Sequence, residues 1–246
     1  MPVEPKLAAT VILLRERVPE PDSDDDCEFE VFMAKRHETA RFMSEHHVFP
    51  GGRIDVQDLS EESKSRLVGI DYQVINKLAN ICEDPANLWI TAIREVFEEI
   101  GVLIAEDSIG KPVENMKKLK KYQSKLQKRK KTMTDILCKE DLYYAAKNLQ
   151  YFGRLITPEI SPIRFDTQFF VCRFPQNQNV NLFTIELTES LWGTPKQLLT
   201  KLKKSQIKLI FPQYSSLKRL EKFKTIQEVF ENSKDVTSRN RLEGFK

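Results

Sequence analysis

The sequence predicts an α/β layered domain, because strand-like and helix-like segments alternate along the chain and no linker separates two cores. Three observations carry this. Apolar runs at 6–15 (KLAATVILLR) and 28–36 (EFEVFMAKR) suit strands. Leu88, Ala92, Val96 and Ile100, with Trp89, Ile93 and Phe97 beside them, repeat at helical spacing. Further strand-like runs at 149–157 and 165–174 precede a helical C-terminal part.

Each element has a local reason. A Pro- and Asp-rich connection (Pro19, Pro21, Asp24, Asp25, Asp26) divides the first two strands. His47, Val48 and Phe49 lead into Pro50-Gly51-Gly52, where glycines permit a bend. A polar stretch at 55–64 follows, and then a helix is expected around 65–79. Asp84-Pro85 opens the strongest helix, and Gly101 stands where a helix C-terminus commonly requires a positive φ. Residues 115–146 are Lys-rich and expected as two helical pieces. A weaker strand is expected at 179–187. Thr194-Pro195 starts a helix through Lys203 with proline at its first position. Leu217, Leu220 and Phe223 continue a helical pattern, and Thr225 with Glu228 forms a capping box for the last helix.

Composition excludes several classes. Of the 246 residues, 40% are hydrophobic and 30% charged, which is enough apolar material for a core. A net charge of +3 is too small for the whole chain to be a nucleic-acid binder, so no stable nucleic-acid partner is expected. Cys27, Cys82, Cys138 and Cys172 lie far apart without a CxxC pair and read as packed or free thiols. No apolar run reaches membrane-spanning length. The start, Met1-Pro2-Val3-Glu4-Pro5, lacks a signal-peptide core, and the ending EGFK is not a peroxisomal tripeptide; cytosol is the default expectation.

The chemistry concentrates at 94–102, REVFEEIGV. At about 100° per residue, Glu95 and Glu99 share one face of the helix with Glu98 beside them. Crowded carboxylates repel one another unless a cation compensates, and hard oxygen ligands suit Mg²⁺ or Mn²⁺. A solvated acidic face with Arg94 in a salt bridge is the alternative that three glutamates alone would favour.

The string resembles the second half of the Nudix box, GX5EX7REUXEEXGU, with Val96 and Val102 at aliphatic positions. The first half is displaced: Gly52 plus five residues reaches Asp58, where the box has Glu, and residues 59–93 intervene where the box has seven. The box is thus similar to the interrupted one of a eukaryotic branch related to peroxisomal coenzyme A diphosphatases. AKR at 34–36, ARFM at 40–43, HHVFPGG at 46–52 and the text from ITPE to RFDTQFF at 156–170 also resemble that branch. Resemblance runs from about residue 6 to 230.

The resemblance implies a Nudix-type α/β/α sandwich with a mixed sheet, spanning 1–246 as one domain. It would carry an insertion within the box at 59–93, a Lys-rich helical insertion at 105–148 and C-terminal helices at 194–234. It implies Mg²⁺ or Mn²⁺ on Glu95, Glu99 and Glu98, with Glu98 a further ligand or the group that activates water. Arg94 would orient a neighbouring carboxylate, with Asp58 as its partner. The Gly51-Gly52 backbone belongs to the loop whose carbonyl can complete the metal shell. Glu186 and Glu189 are candidates for a base outside the box. The implied reaction is hydrolysis of a diphosphate bond in a nucleotide-linked substrate. Coenzyme A or an acyl-coenzyme A leads, giving 3′,5′-ADP and a 4′-phosphopantetheine fragment. Another nucleoside diphosphate derivative, or a weakly catalytic module binding nucleotide, RNA or lipid, is the alternative. Peroxisome or mitochondrion would follow from the family, without a recognisable signal.

Arg36 and Arg41 are candidates for phosphate contact, because a guanidinium fork matches phosphate oxygens. Arg41 matches an arginine in the coenzyme A-type signature LLTxRSxxLRxHxGQVxFPGG, whereas Met43 stands at its His and Glu45-His46 at its Gly-Gln. Residues 117–131 hold nine Lys or Arg among fifteen, with Leu119, Tyr122 and Leu126 on one helix face. This amphipathic segment is either an anion site or a solvated basic face. His37, His46 and His47 have no ligand spacing with the cysteines.

Overall fold

The computed structural model describes residues 3–21, 24–40, 43–114, 118–182 and 186–233. Its centre is a mixed sheet. Strand β1 (Lys6–Glu16) pairs antiparallel with β2 (Phe29–Arg36) near its end. Strands β3 (His47–Val48) and β4 (Gly51–Arg53) pair with β2 and β1 respectively. The remaining strands of this sheet are β8 (Leu149–Ile156), β9 (Phe165–Arg173) and β10 (Leu187–Gly193), in the order β10-β2-β1-β9-β8. Only the β1–β9 pairing within it is parallel.

Strand alternation explains the layers. In β1, Ala9, Val11 and Leu13 enter one core, while Ile12 and Leu14 enter the other. The same division separates Phe32 and Ala34 from Phe29, Val31 and Met33 in β2, and Phe170 and Cys172 from Phe169 and Val171 in β9. A sheet apolar on both faces must be covered on both. Helix α3 (Ala86–Ile100) covers the first face, its Trp89 packing edge-on to Phe170 with ring centroids 4.8 Å apart. Helices α6 (Pro195–Lys203), α7 (Phe211–Leu220) and α8 (Ile226–Ser233) cover the second through Leu198, Leu217 and Val229.

The stretch between β4 and α3 differs from expectation. Residues 55–64 are not simply polar loop: a 3-10 turn (Val56–Leu59) and helix α1 (Glu61–Ser65) occupy them. The helix expected around 65–79 is broken, with β5 (Leu67–Val68) followed by α2 (Tyr72–Leu78). Gly69 between them has φ +72, which a continuous helix does not accommodate.

Beyond α3 come β6 (Ala105–Asp107), α4 (Leu119–Gln127), α5 (Met133–Glu140) and β7 (Leu142–Ala145). Two helical pieces were expected there; the added finding is that the segment is bounded by strands. Those strands form a second sheet, β5-β7-β6, which joins the two inserted regions. Strand β10 begins at Leu187, so the strand expected at 179–187 is displaced; 179–182 are irregular, and 183–185 lie outside the described residues. The capping boxes at Thr194/Gln197 and Thr225/Glu228 are present. Among the described residues no helix is long and apolar enough to cross a membrane, and all four cysteines are free.

Candidate active site

The site is built where the loop after β2 returns to β1. Ala9 lies opposite Gly52 and Thr10 opposite Gly51 in the β1–β4 register, and Val11 N–H donates to the Pro50 carbonyl at 2.9 Å. This brings the Gly-Gly pair against the inner face of α3. A Cβ on Gly52 would run into the Glu95 carboxylate, and one on Gly51 would meet the Ala9 carbonyl and Thr10. Glycine is therefore required by close approach. Gly51 N–H donates to Glu99 Oε2 at 3.0 Å.

Beneath the glutamates, Arg94 is 3% exposed and almost wholly engaged. Its Nε and Nη2 donate to the two oxygens of Asp58 at 2.8 and 2.9 Å, and Nη2 also reaches the Arg53 carbonyl at 3.1 Å. Its Nη1 donates to Glu95 Oε1 at 2.9 Å and lies 3.2 Å from Glu98 Oε1. Asp58, one methylene shorter than the glutamate it replaces, still forms the two-pronged pair. Thr91 Oγ1 and Asp55 N–H donate to its Oδ2 at 2.8 and 3.0 Å. Burial opposes the charge on Arg94, but Glu95, Asp58 and Glu98 outweigh it and keep the guanidinium protonated.

The carboxylates are starved of compensation. Asp58, Glu95 and Glu98 share the one buried guanidinium of Arg94, and Glu99 accepts from the Gly51 N–H instead. Burial, opposed by Arg94 and reinforced by Glu98, pushes Glu95 up to about 7. Burial also raises Glu98, and burial together with the Glu95 charge raises Glu99 well above the ordinary carboxylate range. Oxygen donors that lack positive charge fit a divalent cation in donor chemistry. Arg94 holds Glu95 and Glu98 while Gly51 holds Glu99; among the described residues no three His, Cys, Asp or Glu side chains form a ready cation cage.

Glu95, Glu98, Glu99 and Arg94 line a cavity of about 420 Å³ together with Glu186, Gln127 and Arg129. Glu186 comes from the approach to β10, and its Oε2 lies 3.4 Å from Arg36 Nη2. Among the described residues, the buried Nε of Arg36, at the end of β2, has no hydrogen-bond partner. Glu189 does not line this cavity; its side chain is 66% exposed and pairs with Lys35 at 3.4 Å. Arg41 lies outside the described residues.

Sequence reasoning did not find the contribution of α4. Gln123 and Gln127 donate to the Glu98 carbonyl at 3.2 and 2.7 Å, seating α4 on the end of α3. Leu126, Gln127 and Arg129 thereby enter the cavity wall. The signal was present in the apolar stripe Leu119, Tyr122 and Leu126, all buried, but a stripe does not name the surface it covers.

Comparison with known proteins follows the same lines. The family model for the NUDT19 Nudix domain matches residues 72–220. The chain is similar to an acyl-coenzyme A diphosphatase NUDT19 of Xenopus laevis, 27% identical over 237 residues, covering 82% of this chain and 62% of that protein. It is also 25% identical over 254 residues to the protein of that name from Gallus gallus, covering 85% and 65%. The chain thus spans less than two thirds of the length of these curated relatives. A crystal structure of a Nudix hydrolase from Alicyclobacillus acidocaldarius superposes with a TM-score of 0.75 at 27% identity, covering 93% of this chain and 96% of that one. With the family model matching more than half of the chain, and a Nudix fold around the box helix, the protein belongs to the NUDT19 family of Nudix hydrolases.

Proposed function

We propose that the protein hydrolyses the diphosphate bond of coenzyme A or an acyl-coenzyme A, releasing 3′,5′-ADP and a 4′-phosphopantetheine fragment. The observation that carries this is the cavity in which Glu95, Glu98 and Glu99 converge over buried Arg94. The names of the relatives support the substrate class.

Glu95, Glu98 and Glu99 would hold a divalent cation, Mg²⁺ or Mn²⁺, which when bound neutralises diphosphate charge and acidifies water. The chain's own residues do the remaining work. Arg94 and Asp58 form a rigid, fully hydrogen-bonded base that orients Glu95 and Glu98. Arg36 does not itself line the cavity; its guanidinium pairs with the wall carboxylate of Glu186 and orients it. In the reaction the oxygen of water bonds to one phosphorus as that phosphorus's bond to the bridging oxygen breaks. Glu98 from α3 and Glu186 both line the cavity, and either carboxylate could take the proton of the attacking water.

The test is a product-resolved assay with Mg²⁺ across coenzyme A, acetyl-coenzyme A, NADH, ADP-ribose and a dinucleoside polyphosphate. Release of 3′,5′-ADP from the coenzyme A compounds alone is the expected result. Turnover confined to another compound would discard the coenzyme A reading and retain diphosphate hydrolysis. Absence of cleavage by folded protein with either Mg²⁺ or Mn²⁺ would contradict hydrolysis of all five.

A further inference from the structure

A second cavity of about 310 Å³ adjoins the first, shares Asp55, Gln57, Leu126 and Arg129 with it, and adds Lys130 and Lys131. The three consecutive cations come from the turn that ends α4. Arg129 N–H donates to the Leu126 carbonyl at 2.8 Å and Lys130 N–H to the Lys125 carbonyl at 2.9 Å, the paired bonds of a Schellman ending. Glycine is the usual residue at the left-handed position of that motif, yet Arg129 occupies it with φ 51. Among the described residues none of the three cations forms a side-chain ion pair, although two carboxylates line the same cavity. Those carboxylates are engaged: Asp55 Oδ1 accepts Gln57 N–H at 3.2 Å, and Asp135 Oδ2 accepts Thr132 N–H at 2.7 Å. Lys120 and Lys121, on α4 and exposed as Arg129 and Lys130 are, line neither cavity.

We propose that Arg129, Lys130 and Lys131 form an anion subsite that binds a phosphate monoester carried on the nucleoside end of the substrate, away from the diphosphate bond. The inference rests on the diphosphatase reading of the neighbouring carboxylates, and it identifies which part of the substrate enters the second cavity. A dianionic monoester is met there by a guanidinium fork and two ammonium groups, whose donors match its three terminal oxygens. Four glutamates line the first cavity, and Arg129, Lys130 and Lys131 outnumber Asp55 and Asp135 in the second, so one ligand can place its cation-requiring diphosphate in one and its extra phosphate in the other. For the proposed substrates this extra group is the 3′-phosphate of the ribose.

The decisive comparison is calorimetric binding of 3′,5′-ADP and 5′-AMP to the full chain, since the two ligands differ only in the 3′-phosphate. The wild-type protein is expected to bind 3′,5′-ADP at least about tenfold more tightly. The combined Arg129→Asn, Lys130→Gln and Lys131→Gln variant should lose that preference; asparagine tolerates the left-handed backbone at 129. A Lys120→Gln, Lys121→Gln control should retain the preference. Equal affinities in the wild type, no measurable binding of 3′,5′-ADP, or a preference surviving in the triple variant would overturn the subsite. Equal loss in the control would do so too, because it would reveal a diffuse field in place of a site. In turnover, the triple variant should raise KM for coenzyme A about tenfold more than KM for dephospho-coenzyme A. Selective binding of 3′,5′-ADP without cleavage of any coenzyme A compound would support the subsite and contradict the diphosphatase reading, so the two failures are distinguishable.

Discussion

Gly52 governs where the Glu95 carboxylate can stand, because that carboxylate fills the space a Cβ would need. The colliding group is the far end of a flexible side chain, so Gly52→Ala should move Glu95 and spare the fold. Turnover is expected to fall by about 10²-fold, the cost of a misplacement near 1 Å, while the melting temperature changes little. Steady-state kinetics beside a thermal melt checks this; activity near wild type would show that Glu95 need not stand where it does. At this scale the sequence was readable wherever one helix sets the geometry. Glu95, Glu98 and Glu99 follow from helical spacing, and Val96 and Ile100 are fully buried on the apolar side as expected. The Arg94–Asp58 pair was not derivable from spacing, since residues 59–93 separate its members; only the resemblance connected them. Glu45, standing where the related signature has glycine, keeps the left-handed backbone with φ 59 and pairs with Lys208 at 2.7 Å. A backbone conformation of that kind cannot be read from a glutamate.

Helix α4 turns an acidic helix end into a walled cavity. Its central contact is Gln123, fully buried, whose amide nitrogen donates to the Glu98 and Asn181 carbonyls and whose oxygen accepts from Asn181 Nδ2 at 2.8 Å. Gly101, at φ 69, ends α3 directly beneath this amide, and a Cβ there would crowd it. Gln123→Ala strips the Asn181 carbonyl and side-chain amide of their partner, leaves the Glu98 carbonyl only its Gln127 donor, and should cost about 1–3 kcal/mol. Denaturant melts measure that cost. Limited trypsin digestion should also show faster cleavage within 118–131, and unchanged protection there would mean that α4 is held by other contacts. Periodicity revealed α4 as a helix with a basic face, but its docking partner lies about 25 residues away in sequence, where patterns of one segment carry no information. The strands β5 and β7 were missed for a related reason. Each is short, and each is defined by the pairing Leu67 with Tyr144 and Val68 with Ala145 across the two insertions.

Across the whole molecule, the two inserted regions brace each other beside the box helix. Ser63 and Thr134 hydroxyls lie 2.6 Å apart, Arg66 pairs with Asp141 at 3.0 Å, and the β5-β7-β6 sheet runs between the regions. The apolar runs at 6–15, 28–36 and 165–174 made strands of the central sheet legible in advance and the resemblance implied its cover on both faces, whereas the sheet joining the insertions is a purely tertiary product. The carboxylate cluster also leaves a signature on the entire fold. Glu95 is raised to about 7 by burial, and Glu98 and Glu99 are raised by the same cause, so the folded chain holds these protons more tightly than the unfolded chain. Their contribution is full below the ordinary value of 4.5 and is lost as pH rises through the raised values. In EDTA the melting temperature should therefore drop between pH 5 and pH 8, and Mg²⁺ should restore more of it at pH 8 than at pH 5. A melting temperature indifferent to Mg²⁺ at both values would oppose the metal reading.

The most direct test of the central claim compares wild type with Glu99→Gln for Mg²⁺-dependent release of 3′,5′-ADP from an acyl-coenzyme A. The substitution removes a buried charge while keeping the side chain's size, and Gly51 N–H can still find an oxygen. The expected result is steady release by the wild type and a loss of at least about 10²-fold in kcat for the variant, with an unchanged or higher melting temperature. Full activity in Glu99→Gln would contradict the assignment of this cavity as the catalytic centre.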